Sequence, residues 1–383
     1  MKAVSHFQEM HLVDIEKMGQ AKFLNCLYNC KKELYLKGRK IIMNKKEYIE
    51  GIRVFAILFV VLIHVVAIPL SSWSGDTVGS YQIYSLIYVI GSCGVPLFLM
   101  ITGSLLLNPA KEISLNKIYC KMIPRILIPL FVWGWVFACM EIYFETRMIT
   151  ISMPFQALYR VLNNESWAHL WYLYMLLGVY IFLPIMKHLS DTLSEKMYLY
   201  TTYAMIIVGY ILPTINKVCG INITISVPLP LCYFTAVWMG YFVERYKENK
   251  IYNKILYTFG SVSAVVLIIS GIMNGVLGKN YYDVIAQYDD IFVLGTAILI
   301  YMVVRKYLQN KSLPKWLLSL AECSFGIYLL HPVIINMLYK VVNIRPTNFN
   351  AVISIPVFAI MFIVPVWFAV YIMKKIPFIK RLV

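Results

Sequence analysis

The chain has 383 residues, 60% of them hydrophobic and only 14% charged, with a formal net charge of +16. Soluble domains carry about 25% charged residues, and here the apolar residues come in long runs, so composition excludes a soluble globular domain and points to a lipid bilayer. Eight cysteines are scattered, most within apolar runs and without paired CxxC units, which indicates neither a zinc site nor a disulfide framework.

Residues 1–42 are basic, mix polar with apolar side chains, and lack a signal-peptide layout. Met43 opens "MNKKEYIEGIRV", which would serve as a start. The first 42 residues therefore read as a dispensable or misassigned extension, or else as an amphipathic surface helix. Residues 43–383 read as one transmembrane domain.

A spanning helix needs roughly 20 apolar residues. Ten segments meet that length: 51–70, 82–107, 124–143, 168–187, 197–215, 223–243, 253–275, 288–306, 317–340 and 351–373. The second is interrupted by Gly91, Gly94 and Pro96, so a bend or break is expected there. No internal repeat or low-complexity linker divides the chain. Lysine and arginine alternate between loops. Ten precede the first segment and none lies in 71–81, and the later odd-numbered and even-numbered loops continue that contrast. The expected fold is an all-α polytopic membrane bundle of about ten transmembrane helices with both termini cytoplasmic. The positive charge then reflects membrane topology and not nucleic-acid binding.

Ionisable groups at membrane depth are costly and become functional candidates. They are Arg53, His64, His169, Glu322 and His331, with Asp289 and Asp290 near the outer end of the eighth segment. Arg53 and His64 share the first segment, "GIRVFAILFVVLIHVV". Their spacing puts them within about 20° on one helical face and about 16 Å apart along the axis. Arg53 can snorkel at the cytoplasmic mouth, and His64 can be a packed polar residue. Their common face instead favours a shared path from the cytoplasm to the outer half. Arg125, in "CKMIPRILIPL", sits at the inner end of the third segment, suited to anionic lipid or to a phosphate. His169 opens the fourth segment in "SWAHLWYLYMLL", which places it at the outer surface beside Trp167, Trp171 and Tyr172, in an aromatic belt or at a sugar entrance. His331, in "SFGIYLLHPVI", precedes Pro332, which frees a backbone carbonyl and favours a kink.

Several stretches together resemble the acyltransferase-3 family of membrane acyltransferases. "RVFAILFVVLIH" carries a basic residue, ten residues, then histidine (Arg53 and His64). "GVPLFLMITGSLL" looks like the family's small-Pro-Leu-Phe run, and "IPRILIPLFVW" like its Arg-Ile-x-x-Pro entry to the third helix. "HLWYLYMLLGVYIFLPI" and "FGIYLLHPVI" are similar to its later histidine stretches. The likeness spans about 45–375, and the "HLWYLYML" form resembles the branch with enterobacterial-common-antigen acetyltransferases and intercellular-adhesin proteins. The stand-alone form of the family is expected, because no hydrolase-like domain follows the last segment.

The resemblance implies a multi-pass protein of a bacterial inner membrane that O-acylates a surface polysaccharide or lipid-linked oligosaccharide. Cytoplasmic acyl-CoA, most simply acetyl-CoA, is the implied donor, with no metal. Arg53 and Arg125 would hold the nucleotide end. His64 would be the general base, by direct transfer or through an acyl-histidine. Thr102, Tyr328 and His331 would orient the base or stabilise the oxyanion, and His169, Trp171 and Tyr172 would line the sugar entrance. The competing class is a proton-coupled transporter of small molecules or glycans, with His64 and His331 as relay groups. The absence of visible halves related by symmetry weighs against it.

Overall fold

With no water in the hydrocarbon to satisfy backbone N–H and C=O groups, an apolar run must satisfy them internally, and helices follow. A computed structural model describes residues 47–71, 78–223, 230–274 and 286–383. Among them the secondary structure is helical, with no strand. The expectation for residues 1–42 lies outside the described residues.

The helices, in order, are α1 (Glu47–Ser71), α2 (Val78–Gly91), α3 (Gly94–Leu106), α4 (Pro124–Thr146), α5 (Met153–Leu162) and α6 (Trp171–Thr192). They continue with α7 (Glu195–Cys219), α8 (Leu231–Arg245), α9 (Lys250–Met273), α10 (Ile291–Leu308), α11 (Lys315–Asn336) and α12 (Ala351–Met373). Nine spans among the described residues are long and apolar enough to cross a membrane, with α2 and α3 together forming one of them. The expected break falls between α2 and α3. Pro96 has no N–H to give the carbonyl one turn back, and the chain turns at Ser92–Cys93.

The sixth expected segment, 223–243, is corrected. Its helix begins only at Leu231, after Pro230, and has 15 residues. At about 22 Å it is shorter than the hydrocarbon. It is almost wholly buried, from Phe234 to Glu244, so α8 is the hub of the bundle. A second difference is α5, a short helix inside the expected loop 144–167. It is fastened by the Trp135 indole N–H to the Pro154 carbonyl at 3.0 Å.

Helix ends alternate as the loop charges anticipate. At one end Glu47 accepts the Leu313 N–H at 2.8 Å, Ser190 donates to the Leu107 carbonyl at 3.0 Å, and Arg245 pairs with Glu195 at 2.7 Å. This end carries the Lys/Arg-rich loops. At the other, Lys217 pairs with Asp289, and Thr214 accepts the Ile291 N–H at 3.0 Å. Within the first end, Glu244 accepts from Tyr48 at 2.9 Å and Tyr301 at 3.1 Å, with Arg305 3.5 Å away. That buried network ties α1, α8 and α10 together.

The tightest helix crossing is α3 on α8. A Cβ added to Gly103 would lie 1.7 Å from the Val237 carbonyl oxygen, and one added to Gly240 would lie 1.9 Å from the Met100 carbonyl oxygen. Backbone meets backbone there, and neither side can yield. Gly103→Ala or Gly240→Ala is expected to destabilise the protein by about 3 kcal/mol, the upper end for overpacking. Thermal unfolding of the purified variants in detergent measures it, and an unchanged midpoint would refute the crossing.

Candidate active site

Two helices bring the intramembrane histidines together. His64 on α1 and His331 on α11 have ring centroids 4.9 Å apart. His331 is fully buried, and its Nδ1 lies 2.9 Å from the Ile327 carbonyl. A carbonyl only accepts, so Nδ1 carries the proton and Nε2 presents a lone pair. That Nε2 has no hydrogen-bond partner. Pro332 follows in the sequence but stays within α11.

The position expected for His169, at the outer surface, is corrected. The 3-10 turn Ala168–Leu170 folds its side chain inward, where it is 5% exposed. Its ring lies 6.2 Å from that of His331 and packs against Phe137 at 5.7 Å. Its Nε2 donates to the Leu329 carbonyl at 3.3 Å, while the Tyr328 hydroxyl donates to the His169 carbonyl at 2.6 Å. These two bonds stitch the turn that leads into α6 to α11, beside His331.

Three chambers lie in file through the bundle. The first is lined by Arg53, Thr102, Tyr180 and Ser324. The second is lined by His64, His169, Trp171, Val60 and Val95. Phe98, Tyr172 and Tyr328 line both and form the partition between them. The third is the outer chamber, bounded by Gly209, Tyr233, Gln287 and Asp289. Tyr288 lines both it and the His64 chamber. The Trp171 ring packs against Tyr288 at 5.1 Å and Tyr233 at 5.9 Å. Trp171, Tyr288 and Tyr233 therefore form a cluster of rings between the His64 chamber and the outer one.

Arg53 stands at the inner chamber, paired with Glu50 one turn before it. Arg125 does not line that chamber; it is exposed. Both arginines are nevertheless within electrostatic reach of the Tyr180 hydroxyl. Glu322, two turns into α11, is exposed and lines none of the three chambers, and its backbone carbonyl accepts from Lys374 at 2.7 Å. Thr102 donates to the Phe98 carbonyl at 3.1 Å, inside the inner chamber and away from His64. Sequence reading missed Phe98, Tyr180, Tyr233 and Tyr288. Nothing in a run of aromatic and apolar residues marks which rings face a cavity.

Asp290 caps α10, its Oδ1 accepting the Phe292 N–H at 2.8 Å, while Oδ2 has no partner. Burial pushes its carboxyl up from 3.8 to about 7, and Lys217 only partly offsets that.

A family model described as an acyltransferase domain matches residues 46–374. No curated protein and no solved structure matches the chain.

The Asp290 shift has a defined sign. The folded state disfavours the carboxylate, so stability is highest below the unfolded value and declines as pH rises from 3.8 toward about 7. Asp290→Asn keeps a capping side chain and removes the charge. Its melting midpoint, relative to that of the unaltered protein, is expected to rise between about pH 4 and about pH 7 and to level off above. A gap that stays constant across that range would contradict the burial.

Proposed function

The chain belongs to the acyltransferase-3 family of membrane acyltransferases, and from that premise we propose that it moves an acyl group, most simply acetyl, from cytoplasmic acyl-CoA to a hydroxyl of an extracytoplasmic or lipid-linked glycan. The observation that carries this reading is the file of chambers. Arg53 and His64 line neighbouring chambers with one partition between them, and a third chamber toward the opposite end shares Tyr288 with that of His64.

Arg53 lies toward the end with the Lys/Arg-rich loops, which the positive-inside rule assigns to the cytoplasm. A guanidinium there suits the phosphates of coenzyme A, exchanging Glu50 for the ligand, and exposed Arg125 adds positive charge at the same mouth. The pantetheine arm then runs past Thr102 and Phe98 along the shared face of α1. The thioester comes to rest beside His64. The acceptor enters from the outer chamber over Trp171, Tyr233 and Tyr288, whose faces suit pyranose rings.

In the transfer, the acceptor hydroxyl gives its proton to His64 as its oxygen attacks the thioester carbonyl. The C–S bond breaks, and the imidazolium returns the proton to the departing sulfur. An ester and free coenzyme A result. His331 acts through His64. Its unpartnered Nε2 lone pair suits the N–H of His64 and would leave the other His64 nitrogen to accept the proton. His169 and Tyr328 position this pair through their bonds to the Leu329 and His169 carbonyls. The glycan class follows the family branch that the "HLWYLYML" stretch resembles.

The test is acetyl-CoA binding and turnover by the purified protein in nanodiscs. Arg53→Ala is expected to weaken coenzyme A binding about tenfold, the worth of one charged hydrogen-bonded contact. His64→Ala should bind but lose about a hundredfold or more in turnover. If the unaltered protein has no affinity for coenzyme A, the reading fails and a proton-coupled carrier replaces it.

A positioning role for His331 predicts a separate pattern. His331→Gln should lower kcat about tenfold with KM unchanged and shift the pH profile of kcat, because only the orientation of the base is altered. Equal changes in KM and kcat would assign His331 to substrate binding instead.

A further inference from the structure

We propose that the His64 chamber selects the acyl group, admitting a short uncharged one, and that Phe98 sets the length limit. This rests on the coenzyme A reading above.

The His64 chamber is the smaller, a cavity of about 30 Å³ against about 220 Å³ for the Arg53 chamber. Any acyl group carried on a pantetheine arm must pass Phe98, Tyr172 and Tyr328 to reach His64, since these rings line both chambers. The Phe98 and Tyr172 rings are 6.5 Å apart, and those of Tyr172 and Tyr328 are 5.3 Å apart. Beyond them stand Val60 and Ile63 from α1 and Val95 from α3, all buried.

This wall is rigid for a stated reason. Phe98 and Val95 ride on α3, which Gly103 and Gly240 lock backbone-to-backbone against α8. Added methylenes therefore meet a wall that does not retreat, and overpacking is costly.

Charge is excluded by a second argument. Among the described residues, no lysine or arginine lines the His64 chamber. A carboxylate at the acyl terminus would be buried there without a cation. His169 and His331 each commit a ring N–H to a backbone carbonyl. A carboxylate paired with His64 would hold that ring protonated and so remove the base. A dicarboxylic acyl group is rejected on either count.

The experiment compares free coenzyme A with its acetyl, propionyl, butyryl and succinyl thioesters. Binding is followed by calorimetry, and thioester cleavage by thiol release, on the intact protein in nanodiscs. Butyryl and succinyl share a chain length, so the pair separates length from charge. Free coenzyme A and acetyl-CoA are expected to bind comparably, and butyryl-CoA about tenfold more weakly, as for methylenes in a closed apolar site. Succinyl-CoA should be weaker still. Phe98→Ala should bring butyryl-CoA to within about threefold of acetyl-CoA while leaving succinyl-CoA weak. Phe98→Leu, which keeps more of the packing, should move the ratio in the same direction if the alanine variant does not fold. Equal binding of acetyl-CoA and butyryl-CoA, an unchanged ratio in both Phe98 variants, or succinyl-CoA binding as well as butyryl-CoA would each overturn the inference while leaving the donor reading intact. Absence of binding by free coenzyme A would overturn both.

Discussion

The backbone-to-backbone crossing of α3 and α8 is the constraint from which the interior of the bundle follows. Two glycines permit it, and each helix fills the space that a side chain on the other would need. Because α8 is short and almost wholly buried, it cannot serve as a lipid-facing span. It serves instead as the post against which α3 is fixed. α3 in turn carries Val95 and Phe98 toward His64 and Thr102 toward the inner chamber. The same crossing therefore sets the distance between α3 and the histidine-bearing helices, and with it the width of the file of chambers.

The ionisable side chains inside the bundle divide by what surrounds them. Glu244 is met by two phenols and a guanidinium, and Lys187 by Asp191 at 2.5 Å. Such groups are satisfied in place. Removing one partner of a buried set is strongly destabilising, even though the set adds little over an apolar alternative. The second class faces cavities. His64 lines a chamber, His331 keeps a lone pair without a partner behind it, and Arg53 pairs, among the described residues, with Glu50 one turn away. Burial without full satisfaction has to be offset elsewhere in the fold. The bonds from His169 and Tyr328 to backbone carbonyls, and the crossing at Gly103, are where this bundle supplies rigidity around it.

Much of this was legible in the sequence, and the reasons differ by residue. Helical runs are obligatory in lipid, so nearly every span could be read from length alone. Arg53 and His64 could be placed on one face because a helix converts spacing into angle, and the structure puts them on neighbouring chambers. The start of the sixth segment was misplaced because a hydropathy ruler counts apolar residues and does not register the boundary that Pro230 sets at the first turn of α8. His169 was placed at the surface because its neighbours are tryptophans and tyrosines, the usual interfacial residues. The 3-10 turn that rotates it inward leaves no periodic signal. Phe98, Tyr233 and Tyr288 were invisible for a similar reason. In a chain with 20 phenylalanines and 29 tyrosines, a ring that faces a cavity looks like one that faces lipid.

A protein that passes a reactive group from one aqueous phase to another must connect the two without opening a continuous water path. In the proposed reading the aromatic partition of Phe98, Tyr172 and Tyr328 meets both demands. A thioester arm filling the gap between these rings would displace water from it, and the thioester would arrive in a chamber whose walls are mostly apolar and aromatic. An acyl group stays with its intended acceptor only if water cannot compete for it, and excluding water also strengthens the interaction of the imidazole with the charge that develops on the attacking oxygen. Tyr288, standing in both the outer and the His64 chambers, places the same demand on the acceptor side. A sugar stacked on Trp171 and Tyr288 would close that side as it binds. Each substrate then acts as the plug of its own entrance, and the site is dry only when both are present, which is the condition under which transfer to the sugar outruns hydrolysis.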